Sequence, residues 1–107
     1  MISTHILDTS KGNPASKVQV TLDKLIDSKW NTIGDELTND DGRIAFNCPN
    51  EKGVYRLTFM TEDYFGKNDI DSFFVTTPVI FKITNTERKY HVPLLLNPFG
   101  YSTYRGS

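Results

Sequence analysis

Only one cysteine, Cys48, occurs in the 107 residues, so no internal disulfide can form, and a lone thiol is ordinarily a small buried hydrophobe or a bystander. No stretch approaches the roughly 18 consecutive apolar residues of a membrane-spanning helix, and the first residues lack the basic segment and apolar run of a secretory signal. Charge of one sign is missing too. Twelve Lys and Arg against thirteen Asp and Glu leave a net charge of -1, without the basic footprint that nucleic acid or an anionic membrane requires. These absences predict a cytoplasmic protein with no nucleic-acid or membrane partner. Glycine-rich phosphate loops and a GxSxG nucleophile elbow are absent as well. With two histidines and no HxH, HExxH or CxxC spacing, the chain does not supply the roughly three protein ligands of a catalytic zinc, and no metal is expected.

What is present is an ordinary globular composition, 37% hydrophobic and 23% charged. The length suits a single domain spanning residues 1–107, since a chain of this size buries about two-thirds of its unfolded surface. Strand signals dominate, in short runs divided by turns. Residues 2–8 are β-rich and are closed by the turn formers of Thr9-Ser10-Lys11-Gly12-Asn13-Pro14. Val18, Val20 and Leu22 alternate with Gln19, Thr21 and Asp23, the period of a half-buried strand. Residues 29–38 lead into the turn Asn39-Asp40-Asp41-Gly42, and Arg43-Ile44-Ala45-Phe46 follows as a short strand. In residues 54–60, Tyr55, Leu57 and Phe59 face one way, Arg56 and Thr58 the other.

One segment reads as helix, with Thr61 as N-cap, Glu62 and Asp63 at the positive end of the dipole, and Gly66 where the helix would stop. Residues 78–84 form the next strand, and residues 90–96 another, after which Asn97-Pro98-Phe99-Gly100 turns the chain back as a last strand. Seven or eight strands without long helical crossovers predict an all-β, antiparallel sandwich of two packed sheets with one short helix. The strand at residues 90–96 departs from simple alternation. Tyr90, Val92, Leu94 and Leu96 fill one face, yet His91, Pro93 and Leu95 make the other largely apolar, which predicts a subunit contact on that face.

A lone histidine, or an arginine after a turn, is ordinarily a surface group. Strand parity changes the weight given to His5 and His91. If the first strand and the strand at 90–96 share a sheet, both imidazoles project from one partly apolar face, with Ser3 and Leu7 beside His5 and Pro93 beside His91. Arg43 opens its strand directly after Asp41-Gly42. The terminal run Tyr101-Ser102-Thr103-Tyr104-Arg105-Gly106-Ser107 is rich in aromatic, hydroxyl and guanidinium groups where tails are commonly expendable, so it is expected to be held in place.

Together these residues resemble a known family. Ser3-Thr4-His5-Ile6-Leu7-Asp8-Thr9, continuing through Gly12-Asn13-Pro14-Ala15, is similar to the N-terminal motif of 5-hydroxyisourate hydrolases, the transthyretin-related enzymes of urate breakdown. Thr38-Asn39-Asp40-Asp41-Gly42-Arg43 resembles their central arginine motif. His91-Val92-Pro93-Leu94-Leu95-Leu96 with Tyr104-Arg105-Gly106-Ser107 resembles their C-terminal signature. The resemblance covers nearly the whole chain. It departs at Val75-Thr76-Thr77, where a shorter link is usual, and at the acidic Thr61-Glu62.

The resemblance implies a transthyretin-like sandwich assembled as a homotetramer, a dimer of dimers with sites between the dimers. It implies hydrolysis of the lactam bond of 5-hydroxyisourate to 2-oxo-4-hydroxy-4-carboxy-5-ureidoimidazoline, without a cofactor. It further implies His5, Arg43, His91 and Ser107 as catalytic residues and His5, Arg43 and Tyr104 as substrate-binding residues. Which histidine is the base stays open, as does the role of Arg105. The competing readings are a small-molecule carrier on the same fold, since fold does not fix function, and a structural β-sandwich module of a larger protein. The polar set in one channel and the chain's start at Met1 and end on its motif favour the enzyme.

Overall fold

A computed structural model describes residues 1–106. The strands, in chain order, are β1 (Ile2–Asp8), β2 (Asn13–Pro14), β3 (Gln19–Ile26), β4 (Lys29–Leu37), β5 (Arg43–Phe46) and β6 (Gly53–Phe59), then α1 (Thr61–Lys67), β7 (Thr77–Ile83), β8 (Tyr90–Asn97) and β9 (Gly100–Thr103). One sheet runs β2-β1-β8-β9, with β5 also on β1; the other runs β4-β3-β6-β7. The two-sheet sandwich with one short helix agrees with the sequence. The ninth strand is β2, a two-residue pairing of Asn13 and Pro14 with Asp8 and Leu7, too short to carry any alternation.

All named strand pairs are antiparallel except one. β1 and β8 run parallel, from Ile2 opposite Tyr90 to Asp8 opposite Leu96. The exception needs no helical crossover, because nearly the whole chain separates the two strands and sheet-to-sheet connections reverse the direction. The β3–β4 hairpin turns on Asp27 and Ser28, at φ of 50° and 64°, the left-handed pair that a two-residue hairpin loop requires.

The core follows the alternation. Ile2 and Ile6 of β1, Val20 and Leu22 of β3, Tyr55, Leu57 and Phe59 of β6, and Val92, Leu94 and Leu96 of β8 are buried between the sheets. The polar groups among them are satisfied, as burial demands. Thr4 Oγ1 donates to the Val92 carbonyl at 2.7 Å, and the fully buried Asp8 accepts from Tyr64 Oη at 2.8 Å and from the Ser10 N–H and hydroxyl. Burial, reinforced by this bond to a carboxylate, pushes the Tyr64 phenol well above its ordinary range. That bond also pins α1 to the end of β1.

The helix differs from the sequence reading at both ends. Met60 holds the N-cap position with no side-chain cap bond. Thr61 is instead the first helical residue and is buried, its hydroxyl 3.3 Å from that of Thr77 on β7; packing against β7 outweighs its capping propensity. Gly66 lies inside the last turn. The helix ends one residue later, where Asn68 donates from its side chain to the Tyr64 carbonyl at 2.8 Å.

Candidate active site

β1 buries Ile2, Thr4, Ile6 and Asp8, so Ser3, His5 and Leu7 point outward, away from the second sheet. Residues directly opposite in neighbouring strands project from the same face. On one side His5 pairs with Arg43 of β5. On the other, Ser3 pairs with His91 and His5 with Pro93 of β8. The three residues singled out in the sequence, His5, Arg43 and His91, therefore stand on three adjacent strands on one outer face.

The turn before β5 delivers Arg43 to that face. Asn39 Oδ1 accepts the Asp41 N–H at 3.0 Å and the Arg43 N–H at 2.9 Å, and the Gly42 carbonyl accepts the Ile6 N–H at 2.8 Å. Gly42 has φ of +73°, and a Cβ there would lie 2.6 Å from the Ile6 carbonyl oxygen. Only glycine combines that conformation with so close an approach. The motif Asn39-Asp40-Asp41-Gly42-Arg43 thus has a mechanical reading: it clips β5 onto β1 so that Arg43 emerges beside His5.

His91 is the most constrained of the three. Its Nδ1 lies 2.8 Å from Ser3 Oγ, which fixes the ring's orientation. The tail crosses behind it, with the Gly106 N–H donating to the His91 carbonyl at 2.8 Å. A Cβ on Gly106 would lie 2.7 Å from His91 Cδ2, so the ring rests directly on the glycine. Burial, then the Arg43 guanidinium, then His5 hold the His91 imidazole below its ordinary pKa. That shift favours the uncharged imidazole at neutral pH.

An open cleft of about 740 Å³ is lined by Ser3, Arg43, His91 and, from the β7–β8 connection, Asn85, Arg88 and Lys89. His5 does not line it, and neither does Tyr104. Tyr104 is 58% exposed and lines a second pocket of about 260 Å³, where β7 residues face Tyr90 and Val92, together with Lys82 and Arg105. Ser107 lies outside the described residues. The cleft also shows what sequence reading left out of the site. Ser3 could have been found from its parity with His5, two residues away. Gly106 belongs to the terminal motif, but its contact with His91 is a long-range one; Asn85, Arg88 and Lys89 gave no local signal, because their relevance depends on where the β7–β8 connection lies.

The model of the HIUase/Transthyretin family matches residues 2–106. A 5-hydroxyisourate hydrolase of Salmonella dublin is 44% identical over 110 residues, covering 100% of this chain and 81% of the relative. The structure of Klebsiella pneumoniae 5-hydroxyisourate hydrolase superposes with a TM-score of 0.87 at 39% identity, covering 99% of this chain and 98% of that one. Sea bream transthyretin, solved in complex with thyroxine, superposes with a TM-score of 0.92 at 30% identity, covering 98% and 93%.

Proposed function

The chain belongs to the HIUase/Transthyretin family, and from that membership and the polar cleft on its outer sheet face we propose that it hydrolyses 5-hydroxyisourate. The observation that carries the reading is the juxtaposition of a neutral, Ser3-anchored His91 with His5 and Arg43. In the proposed step a water molecule attacks the lactam carbonyl while His91 takes its proton. The carbonyl oxygen becomes an oxyanion, which the Arg43 guanidinium stabilises. The C–N bond then breaks, the ring nitrogen receives that proton from the histidine pair, and the carbonyl carbon, still bonded to the opened product, becomes the carboxylate of 2-oxo-4-hydroxy-4-carboxy-5-ureidoimidazoline, its acidic proton passing to solvent. Ser3 holds His91 with Nδ1 toward its hydroxyl, leaving Nε2 for the water. Ser107 belongs to the proposed set by resemblance alone. Tyr104, which lines a different pocket of its own chain, would serve the proposed site across a subunit boundary.

The decisive assay generates 5-hydroxyisourate from urate with urate oxidase and follows its ultraviolet decay with and without the protein. Acceleration supports the hydrolase. An unchanged decay leaves the carrier reading, which the 0.92 superposition on a thyroxine-bound transthyretin favours. The pH profile adds a sharper expectation. Catalysis requires neutral His91, whose pKa lies below the usual value of about 6.5, so kcat/KM should stay high through neutral pH. It should fall on acidification only below that value, as His91 protonates. An acid limb centred above pH 7 would remove His91 as the base.

Gly106→Ala tests the contact behind the ring. Its methyl group must displace the His91 imidazole, and a misplacement of about 1 Å at a catalytic group can cost on the order of 10²-fold in rate. A loss of at least about tenfold in kcat with little change in melting temperature is expected, whereas unchanged kcat would show that the ring's placement does not matter.

The assembly proposed is a homotetramer, a dimer of dimers meeting over the outer faces that carry the clefts. Half-buried Leu7 and Leu95 flank buried Pro93 on that face. A charge there, Leu95→Glu, should dissociate the assembly as read by light scattering. A fully active wild-type monomer would defeat both the tetramer and a site between dimers.

A further inference from the structure

The β7–β8 connection, residues 84–89, carries the chain from one sheet to the other and contributes Asn85, Arg88 and Lys89 to the cleft lining. It is held in shape. Tyr90 Oη accepts the Asn85 N–H and donates to the Asn85 carbonyl, both at 3.1 Å. Asn85 Oδ1 accepts the Glu87 N–H at 2.9 Å, and Asn50 Nδ2 donates to the Thr86 carbonyl at 3.2 Å. This frame carries Arg88 and Lys89 to the cleft wall shared with Arg43 and His91. The Arg88 guanidinium lies 5.5 Å from the Tyr90 ring centroid, and its Nε is buried without a hydrogen-bond partner among the described residues.

Three cations therefore face one cleft whose lining holds no carboxylate among the described residues. Among those residues none of the three is in an ion pair; the pairs present are Lys24 with Glu51 and Arg56 with Asp23, both elsewhere. Like charges so gathered repel one another, and a buried guanidinium N–H left unbonded is costly. An anion in the cleft would offset the repulsion among the three cations. A guanidinium presents a planar, two-pronged donor edge suited to a flat anion, and a lysine at the rim adds a point charge.

We propose that Arg88, assisted by Lys89 at the rim, binds the urate-like anionic edge of the heterocycle in the cleft, leaving Arg43 for the carbonyl under attack. The identity of that heterocycle rests on the hydrolase reading above; the anion site itself does not. Arg88 is a substrate-binding residue whose energy is spent on association, whereas Arg43 acts on charge that develops during reaction. The division accounts for two arginines in a site where one oxyanion forms.

The test compares wild type, Arg88→Ala, Arg88→Lys and, as a control for net charge, Lys29→Ala on the exposed β4 of the other sheet. For 5-hydroxyisourate, Arg88→Ala should raise KM about tenfold, the effect of losing one charged hydrogen-bonding group, with kcat falling no more than about twofold. Arg88→Lys should recover part of the loss. Added salt should lower kcat/KM of the wild type and of Lys29→Ala alike, and that of Arg88→Ala less steeply. Calorimetric binding of urate, a flat anion that the proposed reaction leaves intact, gives the independent arm: weaker for Arg88→Ala, unchanged for Lys29→Ala. If the wild type does not accelerate 5-hydroxyisourate decay, the hydrolase reading falls and the urate arm alone decides the site. Urate binding that is absent from wild type, or equal in Arg88→Ala, overturns the assignment. So does a variant whose melting temperature drops while KM and the salt slope stay put, since Arg88 would then only brace the loop against Tyr90.

Discussion

His91→Asn is expected to slow 5-hydroxyisourate hydrolysis by about 10²-fold or more, the contribution of a positioned general acid-base group. Asparagine keeps a polar group that can still meet Ser3 Oγ, which lies 2.8 Å from the native Nδ1, and it is smaller than imidazole, so Gly106 is not displaced. What is lost is the ring nitrogen that takes the proton. The loss should therefore appear in kcat, with melting temperature little changed. The acid limb of the pH profile should vanish with the imidazole, because the proposed mechanism makes His91 the group whose protonation sets it. His5→Asn should cost a similar factor by a different route. His5 stands between Arg43 and Pro93 on the central strand, where it can return the proton to the departing nitrogen, and the acid limb should survive its replacement. Near-normal activity of either variant between pH 7 and 8 would make that histidine structural.

How far the sequence anticipates this site depends on whether each feature is local. The alternation in β1 and β6 and the doubly apolar β8 are written in consecutive residues, so the core and the outward placement of His5 and His91 follow from parity once the two strands share a sheet. The direction of that pairing is not written locally. β1 and β8 run parallel, and this register puts His91 opposite Ser3 and Pro93 opposite His5. Arg43 could be suspected from the Asn39-Asp40-Asp41-Gly42 turn, but its position beside His5 depends on the Gly42 carbonyl accepting the Ile6 N–H, a contact across the sheet. Thr61 shows the opposite failure. Its local capping signal is sound, yet the tertiary contact with Thr77 draws it into the core. Arg88 and Lys89 read as two unremarkable loop cations until the β7–β8 connection brings them to the wall of the cleft.

Arg43→Lys is expected to reduce kcat by on the order of 10²-fold although it conserves charge, because removing one preorganised oxyanion donor typically costs that much. The structure makes the substitution informative. Arg43 is exposed to the cleft, and its backbone N–H, held by Asn39 Oδ1 at 2.9 Å, does not depend on the side chain, so lysine should leave the turn and β5 in place. Its ammonium remains close enough to disfavour a proton on His91, so the acid limb should stay near its wild-type position while the plateau drops. Arg43→Gln should do more. With the nearby cation gone, one of the influences that lower the His91 pKa disappears, and the acid limb should move toward higher pH as well as the plateau falling. A common plateau loss with a limb that moves only in the glutamine variant would separate the two duties of Arg43, the fork that meets the oxyanion and the charge that keeps the base neutral. A lysine variant as fast as wild type would mean that charge alone suffices and that no planar donor edge meets the oxyanion.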